Sequence, residues 1–207
     1  MNALPRSLKL LAVGALALSL SACITVFPKD KPAQLYRFDG VATAAETGAA
    51  ANAQFGVARA GGGFVQAASG DRLLTMTGSR AAYIADSRWV SPAQVLFNEA
   101  LARAFDGNTG PARLLGRGEV GKADYTLRVD VTRFETVYDH GKGAPNVVVD
   151  LRVTLTSADR SVTTSRQFNA EVRAGGNRVS SIVAAYDAAV GKALGELVAW
   201  TNNRGAA

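Results

Sequence analysis

Cysteine and histidine are almost absent from this chain, whose 207 residues contain one of each, Cys23 and His140. A single thiol cannot form a disulfide within the chain, so a disulfide-stapled fold is excluded and stability must come from packing. Zinc sites draw mainly on cysteine and histidine ligands, and the sequence offers no such cluster. We therefore expect no metal site and no cofactor.

Catalytic signatures are lacking as well. A Ser-His-Asp relay would have to use His140, which lies in a turn-like Asp-His-Gly-Lys-Gly stretch without a Gly-x-Ser-x-Gly elbow. The glycine-rich stretches 61–63 and 141–143 do not have the spacing of a phosphate-binding loop. We predict no catalytic residues and a protein that is not an enzyme. An anchored hydrolase that depends on His140 is the alternative.

The main apolar run of the N-terminal region, residues 10–20, is too short to span a membrane. At about 1.5 Å per residue it reaches roughly 17 Å as a helix, whereas the hydrocarbon core of a bilayer is about 30 Å thick. Arg6 and Lys9 precede the run, and small residues follow it. This order is typical of a bacterial secretory signal.

The run ends in a lipobox formed by Leu20, Ser21, Ala22 and Cys23. The motif resembles the bacterial lipoprotein signal. That resemblance implies a diacylglycerol on the Cys23 thiol, cleavage before Cys23, and a fatty acyl group such as palmitate on the new amine. One acyl chain binds a membrane only marginally, but two or more anchor a protein stably.

We therefore predict a signal peptide at 1–22 and a lipidated tether at 23–32. Extended at about 3.3 to 3.6 Å per residue, the residues after the cysteine reach roughly 30 Å from the membrane. Residue 24 is isoleucine, where lipoproteins retained in the inner membrane usually carry aspartate. By that resemblance the protein belongs in the inner leaflet of the outer membrane of a Gram-negative bacterium, facing the periplasm.

Positive charge is not concentrated in one region. The net charge of +6 falls to +4 when Arg6 and Lys9 leave with the signal. Arginines alternate with acids along predicted strands, as in 128–130 and 150–152, which is typical of a solvated sheet face. We expect no nucleic-acid partner, and a mild attraction to anionic lipid headgroups is left open.

Two amphipathic helices are predicted, at about 92–106 and 178–202. For the first, Ser91 suits the N-cap, Pro92 the first helical position, and Gln94 a capping box, while Gly107 ends the apolar periodicity. The second follows a glycine-rich break and carries an apolar stripe toward Trp200. An amphipathic helix at this place is typical of a packed core element.

Alternating apolar residues predict the strands. Short strands are expected at 35–39, 55–57, 73–77 and 81–85, and longer ones at 125–134, 147–155 and 162–172, with a bulge at Arg133. The layout between residues 40 and 85 is undecided, because 41–53 suits either a loop or a weak helix. The sequence thus predicts a single α+β domain over 33–204, with a mainly antiparallel sheet of about five to seven strands and two helices packed on it.

The order of these features resembles the ABC-type transport auxiliary lipoprotein family, the PqiC-like proteins. The resemblance rests on the lipobox, a strand with Tyr36, paired strands with Tyr83, the Arg-Trp-Val-Ser-Pro stretch at 88–92, and the Tyr-Thr-Leu-Arg-Val stretch at 125–129. It implies a non-enzymatic lipoprotein that accompanies an MCE-domain protein and, through it, an ABC permease and its ATPase. Such systems move lipids or other hydrophobic compounds across the envelope. A homo-oligomer is left open.

Trp89 and Trp200 are candidates for a partner surface, because tryptophan is enriched at interaction hot spots. The alternative is that both rings belong to the core. The alternative function, from another class, is an assembly or regulatory lipoprotein that activates a cell-wall synthase or a secretion pore.

Overall fold

The computed structural model describes residues 32–41, 54–116, 118–119, 121–139 and 143–204. The predicted signal peptide, the lipobox with Cys23, and nearly all of the tether lie outside these ranges. So do His140 and most of the stretch 41–53. The expectations attached to those residues stay predictions.

The described chain folds as an α+β domain with two long helices packed on one mixed sheet of eight strands, which confirms the predicted fold class. The sheet has one strand more than the upper end of the predicted range. In chain order, the elements are β1 Gln34–Tyr36, β2 Phe55–Arg59, a 3₁₀ turn Gln66–Ala68, β3 Arg72–Thr77, β4 Arg80–Trp89, α1 Ala93–Asp106, β5 Ala112–Leu114, β6 Tyr125–Val137, β7 Asn146–Ser157, β8 Thr163–Arg173 and α2 Val179–Asn202.

Strand β6 organises the sheet. On one side it pairs antiparallel with β7 along its length, and β7 pairs antiparallel with β8. On its other side, β2 runs parallel to its first residues and β3 parallel to its last. Strand β5 extends the β2 arm, and β4 and β1 extend the β3 arm. The three long strands form the predicted antiparallel meander, and every parallel pair includes a strand of the two short arms.

The bulge predicted from the slip in alternation is confirmed. The register of β6 against β7 shifts between Val131 and Arg133, so Thr132 is the extra residue. The bulge restores the inward direction of the following apolar side chain, and Phe134 is 1% exposed.

Helix α1 begins differently from the predicted capping box. Its N-cap is Pro92, and no side chain caps it. Instead, the Ala93 N–H donates to the Gly70 carbonyl at 2.8 Å and the Gln94 N–H to the Ser69 carbonyl at 3.3 Å. The turn before β3 therefore satisfies the first free N–H groups of the helix, which leaves no need for a polar side chain to do so.

The core lies between the sheet and the two helices. Alternate residues of β7 point toward α2, and all are at most 1% exposed: Val147, Val149, Leu151, Val153 and Leu155. Helix α2 packs on β7 and β8, and α1 packs on α2 and β5. Within the described residues the opposite face of β6, β7 and β8 has no helix on it.

An aromatic cluster joins the β3–β4–β1 arm and β6 to helix α2. The ring of Trp89, at the end of β4, lies 5.1 Å from Phe38 and 5.2 Å from Tyr186 of α2. Phe134 of β6 lies 4.8 Å from Tyr186 and 5.3 Å from Phe64. Complete burial raises the pKa of the Tyr186 hydroxyl, which accepts a hydrogen bond from Thr136 Oγ1 at 3.2 Å.

Both tryptophans belong to the core, so the partner-surface prediction is wrong for them. Trp89 is 2% exposed and Trp200 is 4% exposed. The Trp200 ring packs edge-on against Phe168 of β8 at 5.8 Å. The alternative, a core role for both rings, is what the structure shows.

Replacing Trp89 by alanine should lower the free energy of unfolding by about 3–5 kcal/mol, since it opens a cavity among the aromatic rings. Urea unfolding followed by circular dichroism measures the change. The neighbouring Val90→Ala is the control, because Val90 is exposed and should change stability by no more than about 0.5 kcal/mol. Equal stability of the two variants would contradict the core role of Trp89.

The glycine-rich stretch 61–63 lies along the edge of β6 opposite β7, between the β2 arm and the β3 arm. The Ala60 N–H donates to the Leu127 carbonyl, and the Val131 N–H donates to the Gly63 carbonyl, both at 2.9 Å. Between these bonds the backbone of Gly62 passes close to β6. A Cβ on Gly62 would lie only 1.7 Å from the Val129 carbonyl oxygen, whereas a Cβ on Gly61 would meet no atom within 4 Å.

Gly62→Ala should therefore destabilise the protein by about 1–3 kcal/mol, because the new methyl group must push two backbone segments apart. Gly61→Ala, one residue away, should stay within about 0.5 kcal/mol of the natural protein. Thermal or urea unfolding of the pair checks the prediction. If the two alanine variants were equally stable, the close approach at Gly62 would be disproved.

Candidate functional site

A groove of about 670 Å³ opens between α1 and the glycine-rich stretch. Helix α1 contributes Gln94, Phe97 and Asn98, and β6 contributes Val129 and Val131. The remaining lining comes from the end of β2 with the glycines after it and from the connection that follows β5. The groove is therefore apolar where it meets the core and polar at its rim.

The polar groups of the rim are held by partners within the chain. Arg59, at the end of β2, donates a hydrogen bond from Nη2 to Oδ1 of Asn98 on α1. Glu119 accepts a hydrogen bond from the Gly116 N–H at 2.7 Å and so closes its own loop. These contacts fix the walls of the groove, and they engage both charged side chains of the lining.

Asp124 attaches the connection after β5 to β2. Its carboxylate accepts a hydrogen bond from the Gly56 N–H at 3.0 Å, and its own N–H donates to the Gly56 carbonyl at 2.8 Å. The backbone donor lowers the pKa of Asp124, with Lys122 contributing in the same direction. This carboxylate is therefore ionised at neutral pH and serves to position the loop.

The face of the meander that no described helix covers carries arginines and carboxylates that form ion pairs with each other. Arg128 binds Asp130 at 2.9 Å, while Arg133 binds Glu135 at 2.7 Å and Asp150 at 3.5 Å. The hydrogen bonds from Arg128 lower the pKa of Asp130. Because acids and bases neutralise each other along neighbouring strands, this face has the mixed polar character that the alternation predicted and no block of one charge.

The residues that the structure describes form no cluster of metal-ligating side chains. Across those ranges, no three histidine, cysteine, aspartate or glutamate side chains come together as metal ligands. None of the described helices is long and apolar enough to pass through a membrane. The surface features that the described residues do form are the groove and the polar sheet face.

The sequence does not reveal the groove, because the groove is assembled from four separate stretches of the chain. Its one sequence signal is the glycine run 61–63, which by itself predicts a loop. The predicted lipid-attachment site at Cys23, with Leu20, Ser21 and Ala22, and the alternative catalytic residue His140 all lie outside the described residues.

Comparison with solved structures shows the same fold in other bacterial proteins. Protein XCC0632 from Xanthomonas campestris superposes with a TM-score of 0.72 at 20% identity, covering 84% of this chain and 97% of that one. The hypothetical protein CT253 from Chlamydia trachomatis gives a TM-score of 0.51 at 12% identity, over 73% of this chain and 97% of the other. At these identities the likeness concerns the fold alone.

A curated relative is the uncharacterized protein bll6063 of Bradyrhizobium diazoefficiens, which is 27% identical over 117 residues. The aligned part covers 56% of this chain and 31% of the relative, so the match spans about a third of that protein's length.

The family assignment rests on a match that runs through nearly the whole described domain. Residues 36–198 match the pattern of the ABC-type transport auxiliary lipoprotein component, from the end of β1 to the last turns of α2. Since this match covers well over half of the chain, the protein belongs to the ABC-type transport auxiliary lipoprotein family.

Proposed function

We propose that the protein is an outer-membrane lipoprotein and the non-catalytic auxiliary component of an MCE-type ABC transport system. That system moves lipids or other hydrophobic compounds across the periplasm. The observation that carries the proposal is the family match over 36–198 directly behind a lipobox that ends at Cys23. Its direct partner is an MCE-domain protein, which links it to the permease and the ATPase.

The proposed role is to hold a rigid domain at one membrane within reach of a partner that extends from the other. Acyl chains on Cys23 confine the domain to the membrane surface, and a short tether keeps its effective concentration there high. One continuous core holds the domain together, so a partner that contacts one part of the surface positions the whole domain. Position and contact are its contribution.

The nature of the groove supports a non-catalytic role. Arg59 and Glu119 both have partners within the chain, and the other lining groups are amides, glycines and aliphatic or aromatic side chains. A general acid or base must reach its substrate with a free proton-transfer group. A groove of this kind suits recognition of a partner segment better than bond chemistry.

Cys23→Ser should abolish acylation and release the protein from the membrane fraction, since serine lacks the thiol that receives the lipid. Mass spectrometry of the N-terminal peptide and fractionation of the envelope measure the outcome. Ser21→Ala is the matched control, because it keeps a small residue before the cysteine and should still be lipidated. Membrane attachment of Cys23→Ser equal to that of the control would contradict the proposed anchor.

The proposed partner can be captured in native envelopes with a photo-crosslinking amino acid. We choose Gln94, exposed in the groove, and Gln167, exposed on the uncovered sheet face. An MCE-domain protein should be crosslinked from at least one of these positions, and the productive position identifies the contact surface.

Capture of a cell-wall synthase or a secretion-pore subunit in place of an MCE-domain protein would favour the alternative function. Capture of no envelope protein, together with unchanged envelope lipids when the gene is deleted, would overturn the proposal. Because both positions are exposed, the crosslinking residue should not disturb the core.

A further inference from the structure

The β1–β4 edge of the sheet exposes apolar side chains at the point where the tether joins the domain. Strand β1 pairs in parallel with the end of β4 and ends this arm of the sheet, with Leu35 opposite Arg88 and Tyr36 opposite Trp89. Because Trp89 points into the core, its neighbours Arg88 and Val90 point outward, and so does Leu35. Leu35 is 64% exposed and Val90 is 52% exposed.

Val90 stays beside β1 after β4 has ended. Its N–H donates to the Tyr36 carbonyl at 2.7 Å, which extends the parallel pairing by one bond. The outward side chains Leu35, Arg37, Arg88 and Val90 therefore share one side of the sheet, and we call this surface the edge face. Exposed large aliphatic side chains are few in the described domain, and two of the five lie here.

The arginines of the edge face are paired but exposed. Arg88 binds Asp71 at 3.1 Å and Arg37 binds Asp39 at 2.8 Å, and each of the four side chains is about half exposed. Ion pairs of this exposure stabilise a fold very little. A guanidinium group has five N–H donors, so each arginine keeps donors for a phosphate oxygen.

Aliphatic side chains flanked by guanidinium groups suit the boundary between lipid headgroups and acyl chains. The apolar atoms leave water there, while the charged groups remain among phosphates. Leu35 and Val90 would otherwise keep most of their apolar surface in water. The chemistry of the edge face thus matches a phospholipid surface.

The length of the chain before β1 brings this surface close to the membrane. Ten residues separate Cys23 from Gln34, so the eleven steps between their Cα atoms span at most about 40 Å fully extended and roughly 18 Å as a flexible coil. A linker this short gives an effective concentration in the millimolar range, so a weak contact is sufficient. Lys29 and Lys31, with Asp30 between them, give the tether a net positive charge.

We propose that the edge face rests on the phospholipid surface that holds the acyl chains of Cys23. The domain then lies against the membrane with Leu35 and Val90 at the headgroup boundary. The tether does not hold the domain at a fixed distance from the membrane. This inference deepens the proposed function and rests on its lipid anchor. In this arrangement, the outward side chains at β1 and at the end of β4 determine how the domain is oriented on the membrane.

A matched control is available at the other end of the sheet. Val162 lies in the β7–β8 connection and is 52% exposed, the same fraction as Val90. Its hairpin lies beside the first residues of β6, whereas the β3–β4–β1 arm lies beside the last. Strand β8 and strand β1 are separated by five strand spacings of about 4.8 Å, so the two regions are roughly 24 Å apart across the sheet alone.

The test uses the full lipidated protein in vesicles of phosphatidylethanolamine and phosphatidylglycerol. Because the natural thiol is acylated, cysteines introduced singly by Leu35→Cys, Val90→Cys and Val162→Cys can each carry a nitroxide label. Spin-label accessibility to a water-soluble nickel chelate and to oxygen then reports immersion. Labels at 35 and 90 should be protected from the chelate several-fold more than the label at 162, and should meet oxygen more often.

Vesicle flotation in the same samples separates the two proposals. If the protein floats with the vesicles but all three labels are equally open to the chelate, docking of the edge face is wrong and the anchor stands. If the protein does not float and Cys23 carries no lipid, the anchor and the docking both fail.

A second variant pair checks the apolar contact itself. Leu35→Asp combined with Val90→Asp should expose a nitroxide label introduced by Arg37→Cys to the chelate, whereas Val162→Asp should leave that label protected. These sites are exposed, so thermal unfolding should be unchanged in all variants. Equal protection of the label in both backgrounds would overturn the proposal.

Discussion

The fold depends on β6 being hydrogen-bonded along both sides. One side pairs with β7 throughout, and the other is shared by β2, the glycine-rich stretch and β3. The close approach of Gly62 to Val129 is what lets the stretch between the arms lie against β6. Since unpaired backbone groups are costly inside a protein, this arrangement holds both arms at fixed positions beside the meander.

The same arrangement creates the surfaces available for function. Two separate arms pair with the edge of β6 opposite β7. This arrangement leaves space between the β2 arm and α1, and the groove lies there. The aromatic cluster around Phe134 and Tyr186 joins β6 and the β3–β4–β1 arm to α2, and the same continuous core includes β2 and α1, so the groove walls and the edge face belong to one packed body. A domain built in this way presents surfaces at defined places and suits an auxiliary component that acts by position.

Regular alternation of apolar and polar residues made the long strands predictable. Local sequence patterns alone gave some wrong or incomplete predictions elsewhere. The periods of β6 and β7 and the bulge near Arg133 follow from burial of one sheet face. Strand β5 has three residues and carries no pattern that distinguishes it from a loop. The capping box at Ser91 and Gln94 was wrong, since backbone carbonyls of a distant turn satisfy the same N–H groups. Neither tryptophan showed in sequence whether its ring faced the core or a partner.

By itself the sequence determined the class of fold, the positions of both helices and the meander, and the family, because these depend on short-range periodicity and on the order of features. It also contains the lipobox from which the anchoring of the protein is predicted. Only the tertiary structure decided the parallel arms, the groove and the edge face. Each of these brings together residues distant in the chain, and their pairing depends on the packing of the whole core.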